Sequence, residues 1–145
     1  MSDEPTTVAQ ANVSLALARR LIDAGQAHAG SLGKAFTIAV VDASGVLKAM
    51  DRMDGAPLVS IQVAQDKAYT AVGFGIPSGA WHDFIKDDPP LAAGATAGID
   101  RLVIFGGGFP ITVDGNVVGA VGVSGGHYSE DAAVAEAALA AVAAA

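Results

Sequence analysis

Near the end of the chain, Asn116–Ser124 (NVVGAVGVS) divides on alternation into two sets of side chains, and neither is polar. Val117, Gly119, Val121 and Val123 fall on one side of an extended strand, Val118, Ala120, Gly122 and Ser124 on the other. A strand with one solvated face carries polar residues at every second position, so this one is expected to lie centrally in a sheet covered on both faces. It is entered through Asp114-Gly115, the strongest two-residue hairpin signal, which makes its upstream neighbour, beginning at Ile111, antiparallel to it.

Two more β-rich runs flank Asp42-Ala43-Ser44-Gly45, where Asx and Gly at these offsets mark a tight turn and a second hairpin. Ile99–Phe105 (IDRLVIF) reads as a further strand and Gly106–Pro110 (GGGFP) as the turn after it. Helical spacing recurs in Val8, Ala11, Leu15, Ala18 and Ile22, predicting a helix from the Pro5-Thr6-Thr7 entrance to between Gly25 and Gly30. A second helical stripe runs through Leu58, Ile61, Ala64, Ala68 and Ala71, opened by Pro57. A short helix is expected after Pro77, ending before Pro89-Pro90, with Leu91–Gly98 irregular. Ser129-Glu130-Asp131 is expected to cap the last helix. The fold class is therefore α+β: a five-stranded antiparallel sheet with helices packed on it. No repeat, linker or boundary divides residues 1–145, so a single domain is expected.

Of the 145 residues, 52% are hydrophobic and 16% charged, which excludes disorder by composition. An apolar excess on so small a domain makes a homo-oligomer the expectation. The formal charge of −7 and the scattered basic residues exclude a nucleic-acid footprint. There is no cysteine, hence no thiolate catalysis and no Cys-ligated metal. The acidic, polar start MSDEPTTVAQ lacks a signal-peptide pattern, and no apolar run approaches the roughly 20 residues of a membrane span; a cytoplasmic protein is expected.

Four places can carry chemistry. In Arg52–Ala56 (RMDGA), Arg52 and Asp54 either make a solvated turn with a local ion pair or present a guanidinium fork to a carboxylate. Lys67 falls at the edge of its helical stripe, where its ammonium either simply snorkels or reaches a pocket rim. The glycines around Gly107 permit a tight turn or close approach to a ligand, but they do not form a dinucleotide or P-loop motif. His28, His82 and His127 lack zinc-site spacing, and His28 and His82 read as surface or packing residues. His127 follows Ser124-Gly125-Gly126 at a strand-to-helix junction, where it serves either the loop or a ligand and a proton.

The segments FTIAVVDASGVLKAMDRMDGA, AQDKAYTA, GGGFPITVDGNVVGAVGVSGG and EDAAVAEAAL together resemble the GlcG/HbpS-like family, haem-binding or haem-degrading domains also found as the C-terminal module of PduO-type proteins. The resemblance covers nearly the whole chain. It implies a profilin-like sandwich with a five-stranded sheet, an oligomer and a haem-related role. Arg52, Asp54, Lys67, Gly107, Pro110, Ser124, Gly125 and Gly126 match the family's recurrent positions, while His127-Tyr128 departs from the small or polar residues usual there. Two functions follow as expectations. One is haem or tetrapyrrole binding, with His127 or His28 as candidate axial ligand, Tyr128 beside them and Arg52/Lys67 for the propionates. The other is a cofactor-independent isomerase, lyase or hydrolase for a small anionic metabolite. There His127, Lys67 and Asp54 are the catalytic candidates, and Arg52, Ser124, Gly125, Gly126, Gly107 and Tyr128 bind the ligand.

Overall fold

A computed structural model describes residues 3–143. The order is α1 (Leu15–Leu32), β1 (Thr37–Asp42), β2 (Leu47–Arg52), α2 (Ser60–Phe74), a 3-10 turn (Ser78–Ala80), α3 (Trp81–Ile85), α4 (Pro89–Gly98), β3 (Gly108–Val113), β4 (Asn116–Ser124) and α5 (Tyr128–Ala143). The strands form one antiparallel sheet in the order β2-β1-β4-β3. β4 is internal and buried from Val118 to Ser124, as its two apolar faces require.

The two faces are packed differently. Ile38, Val40, Val121 and Val123 meet Leu21, Ile22 and Phe36 together with Val134, Ala135 and Ala138, so α1 and α5 cover a face of large side chains. On the other face α2 lies over Val41 and Ala120 with Ala68 and Ala71, and the contacting groups are small. Gly108 and Gly122 pair across β3 and β4 directly beneath α2. A Cβ on Gly108 would overlap Lys67 O, and one on Gly122 would overlap Ala64 O, so the helix backbone rests on the sheet backbone.

The sheet has four strands rather than five, because Ile99–Phe105 is not one of them. Arg101 takes a positive φ of 64°. Thr70 Oγ1 donates to Arg101 O and accepts from Val103 N, both at 3.0 Å, and so satisfies backbone groups that a neighbouring strand would otherwise pair. Leu102 instead joins Trp81, Ile85 and Ala95 in a small satellite core. Leu91–Gly98, expected to be irregular, belongs to α4: Asp88 accepts from Leu91 N at 3.4 Å, and Pro89-Pro90 open this helix rather than only ending the one before.

The first helix starts at Leu15, not at the Pro5-Thr6-Thr7 entrance or at Val8 as its apolar spacing suggests. Ser14 Oγ accepts from Leu17 N at 3.0 Å as N-cap, and Gly33 at φ 66° ends the helix beyond Gly25 and Gly30. Residues 3–14 are not helical; buried Val13 donates its N–H to Val118 O at 2.9 Å, while Val8 is 86% exposed. Among the described residues, no helix is long and apolar enough to cross a membrane.

Candidate functional site

The junction between β4 and α5 is held by a buried ion pair. Lys67 has no exposed side-chain surface; its Nζ donates to Asp131 Oδ2 at 2.7 Å and to Val123 O at 3.0 Å. Asp131 Oδ1 accepts from Gly126 N at 3.0 Å, so one pair grips both sides of the Ser124-Gly125 turn. Phe105 covers the ammonium, its ring centroid 5.1 Å from Nζ. Burial pushes Lys67 below its ordinary 10.5, against the hydrogen bond and charge of Asp131. Burial likewise pushes Asp131 above 3.8, against its bonds from Lys67 and Gly126. The glycine positions follow from this arrangement. Gly107, at φ 130°, has room for no Cβ, which would stand 2.5 Å from Val123 O and 2.8 Å from Lys67 Nζ. Gly125, at φ 153°, backs onto Ala35 O and Phe36.

Lys67 therefore points inward rather than to a pocket rim, and the Gly126 amide is spent on Asp131 rather than left to meet an oxyanion. No local signal in the sequence identifies Asp131 as the partner, since 64 residues separate the two.

His127, not Ser129, caps α5. Its Nδ1 lies 3.2 Å from Ser129 N, from which it accepts, and 2.7 Å from Ser129 Oγ, while Glu130 Oε1 accepts from His127 N at 3.0 Å. This is the reciprocal pattern of a capping box with imidazole in place of a hydroxyl. Lys34 holds the box from outside through Glu130: the hydrogen bond from Lys34, then that from His127 N–H, push Glu130 below its usual carboxylate value. An Nδ1 that accepts leaves the proton of a neutral imidazole on Nε2.

Beside the box opens a cleft of about 530 Å³, lined by Gly79, His82, Asp83, Ile104, Phe105, Gly106 and Tyr128. The 3-10 turn positions its outer wall: Ser78 Oγ donates to Phe105 O at 2.7 Å and accepts from Gly108 N at 2.9 Å. Tyr128 is half exposed, its ring tilted at 4.1 Å from His127. His82 is exposed on α3, and its ring nitrogens make no hydrogen bond among the described residues. Trp81 stacks edgewise on Phe74 at 4.6 Å and on Phe84 at 5.6 Å. With five Phe, two Tyr and one Trp in the chain, most of the aromatic residues gather at this end of the molecule. His82, expected as a surface or packing residue, is exposed, and it stands in Ala80–Phe84 (AWHDF), with aromatic residues on both sides of His-Asp in an aromatic-poor chain.

The other expected site residues lie outside this cleft. Arg52 is exposed, its Nε donating to Ala56 O at 3.3 Å, and Asp54 sits exposed in the following turn. Ser124 is 8% exposed, at the end of β4. His28 is half buried on α1. No group of three or more metal-ligating His, Cys, Asp or Glu side chains occurs among the described residues.

A family model described as "Haem degrading protein HbpS-like" matches residues 13–140. The chain belongs to the HbpS-like family. Among HbpS-like relatives, an uncharacterized 15.0 kDa protein of the dhaT-dhaS intergenic region of Citrobacter freundii is 36% identical over 89% of this chain and 91% of its own length. Protein GlcG of Escherichia coli K12 is 35% identical over 77% of this chain and 81% of its own. The crystal structure of a PduOC:heme complex superposes with a TM-score of 0.83 at 31% identity, covering 90% of this chain and 94% of that one.

Proposed function

We propose that this HbpS-like protein binds haem, or a closely related tetrapyrrole, in the cleft between α3 and the start of α5. The observation that carries the reading is His82: an imidazole with both nitrogens uncommitted, on the wall of a cleft faced by Phe105 and Tyr128. The volume lies within the range of small-molecule pockets, and the aromatic side chains concentrated here suit a flat ring. Family membership and the haem complex of a structural relative support the same ligand.

The residues present fit the group. His82 would hold the group through a ring nitrogen, with Tyr128 offering a phenolic oxygen of a type haem proteins use and Phe105 an apolar wall. When bound, haem would supply a redox-active iron. His127 is poorly suited as a ligand in its present state, because Nδ1 accepts within the cap and Nε2 carries the proton. Lys67, neutralised by Asp131, and Arg52, which does not line the cleft, leave the propionates to solvent.

Haemin titration of the purified protein tests the reading. A saturable Soret shift is expected, displaced or abolished by His82→Ala and preserved by His28→Ala. Absence of saturation, or a spectrum indifferent to His82→Ala, overturns it. Self-association belongs to the same proposal: Leu58, Phe84, Val59 and Val46 are 75%, 67%, 63% and 61% exposed, surface that a partner subunit would cover. Light scattering giving the mass of one 14.3 kDa chain would refute that part.

A further inference from the structure

The α1/α5 side of the sheet is not fully closed. Between α1, the edge strand β3 and the end of α5 lies a second cleft, of about 430 Å³. It reaches the main core, since Leu21 and Ile111 on its lining are 0% and 4% exposed. Leu17, Leu139 and Val142 stand over them, packed against that core yet only partly buried. Leu17 and Leu21 are four residues apart on α1, Leu139 and Val142 three apart on α5, so each helix presents an apolar pair to the opening. Water against such walls is released when an apolar group of matching shape takes its place.

Arg20 belongs to the same turn of α1 as Leu17 and Leu21 and lines the same cleft, whereas no acidic residue does. The ion pairs among the described residues engage Lys34, Lys67, Lys86 and Arg101, and leave Arg20 without an acidic partner there. A guanidinium over a mainly apolar cleft, in a chain of net charge −7, is the arrangement of a site for an anionic amphiphile: apolar walls supply the area and the charged group fixes the orientation. A second copy of the chain suits this face less well. A two-fold contact would bring the Arg19-Arg20 patches of both copies into one interface, like charge against like.

We propose that this cleft binds a medium-chain aliphatic carboxylate, its tail laid between α1, β3 and α5 and its carboxylate on the Arg20 guanidinium. The site is separate from the aromatic cleft. No residue lines both, and Tyr128 and Leu139 stand about 16 Å apart along α5 at the rise of an α-helix.

Calorimetric titration with butyrate, hexanoate and octanoate tests the site. Affinity should rise about fourfold per methylene, and octanoate should saturate at one equivalent per chain. Arg20→Gln should weaken octanoate about tenfold or more and leave octan-1-ol, the same tail without the charge, unchanged. Val142→Phe, which fills the opening from the end of α5, should abolish octanoate binding and keep the haemin titration of the parent. Saturating octanoate should leave that titration unchanged as well. Affinity indifferent to tail length, or displacement of octanoate by haemin, overturns the proposal. So does an Arg20→Gln variant that loses unfolding stability but keeps its octanoate affinity, which would assign the guanidinium to the negative end of the α5 dipole. Self-association abolished by Val142→Phe, with no octanoate bound by the parent, would assign the cleft to a partner subunit and overturn it equally.

Discussion

At the scale of single residues, the most consequential feature is a lysine with no exposed side-chain surface. Removing one partner of a buried ion pair costs about 3–5 kcal/mol, because the other charge is left uncompensated, whereas removing both is often near neutral. Lys67→Met should therefore destabilise by that amount in urea unfolding, and Lys67→Met with Asp131→Asn should recover most of it. The pH dependence has an unusual sign, since burial opposes charge on both members. Asp131, raised above 3.8, contributes stability that is present below that pH and lost as pH rises through its folded value. Lys67, held below 10.5, contributes stability that is present above that pH and lost as pH falls through its folded value. Relative to the double variant, the parent should gain stability toward both pH extremes and be least favoured near neutrality. Glu130 runs the other way: its lowered value adds stability above 4.5 that acid removes, and because the double variant keeps Glu130 the comparison cancels it. Denaturant midpoints measured across pH for both proteins check this; a difference flat with pH would refute it.

At the scale of elements, the ends of helices account for most of the distance between sequence and structure. His127→Ala removes the Nδ1 acceptor of the α5 cap and should cost about 1 kcal/mol, with His127→Ser restoring most of it. A retained denaturation midpoint in the alanine variant would contradict the capping role. The hairpins were legible because Asp114-Gly115 and the Asp42–Gly45 turn carry their geometry in the residue types. Ala64, Ala68 and Ala71 of the α2 stripe were legible as well, whereas Leu58 lies before the helix and is 75% exposed. What local pattern could not supply was the long-range competitor for a backbone group. Ile99–Phe105 has the composition of a strand, yet Thr70 on α2 supplies both partners to its backbone. Thr70→Val, isosteric but without the hydroxyl, leaves Arg101 O and Val103 N unpaired and should cost about 1–3 kcal/mol in thermal or urea unfolding. The same limit held at the site. Gly107, Gly125 and Gly126 could be picked out by motif, but the buried Lys67–Asp131 pair that crowds Gly107 and takes the Gly126 amide spans α2 and α5.

At the scale of the whole molecule, the sheet is a septum between two unlike layers. Toward α1 and α5 the contacts are made by Leu21, Ile22, Phe36, Ile38 and Val121, whose branched and aromatic side chains can shift rotamers to absorb a change of volume. Toward α2 the contacts are made by glycine and alanine, and the nearest atoms are backbone, which cannot yield without moving the helix. The two layers should therefore respond unequally to small changes of volume. Ile38→Val, which deletes a methylene from the large-residue layer, should cost about 0.5–1.5 kcal/mol. Gly122→Ala adds only a methyl, but that methyl falls on Ala64 O and stands 2.7 Å from Ala68 N, so α2 must lift from β4. Lifting α2 also strains Lys67, three residues from Ala64 on the same helix, against Asp131 and Val123 O. Gly122→Ala should thus destabilise by more than the roughly 1–3 kcal/mol typical of overpacking and by clearly more than Ile38→Val, measured as urea midpoints under one buffer. An alanine at 122 tolerated as readily as valine at 38 would show that α2 is free to slide on the sheet. The contact of backbone upon backbone would then not be what fixes the helix, or the junction it anchors.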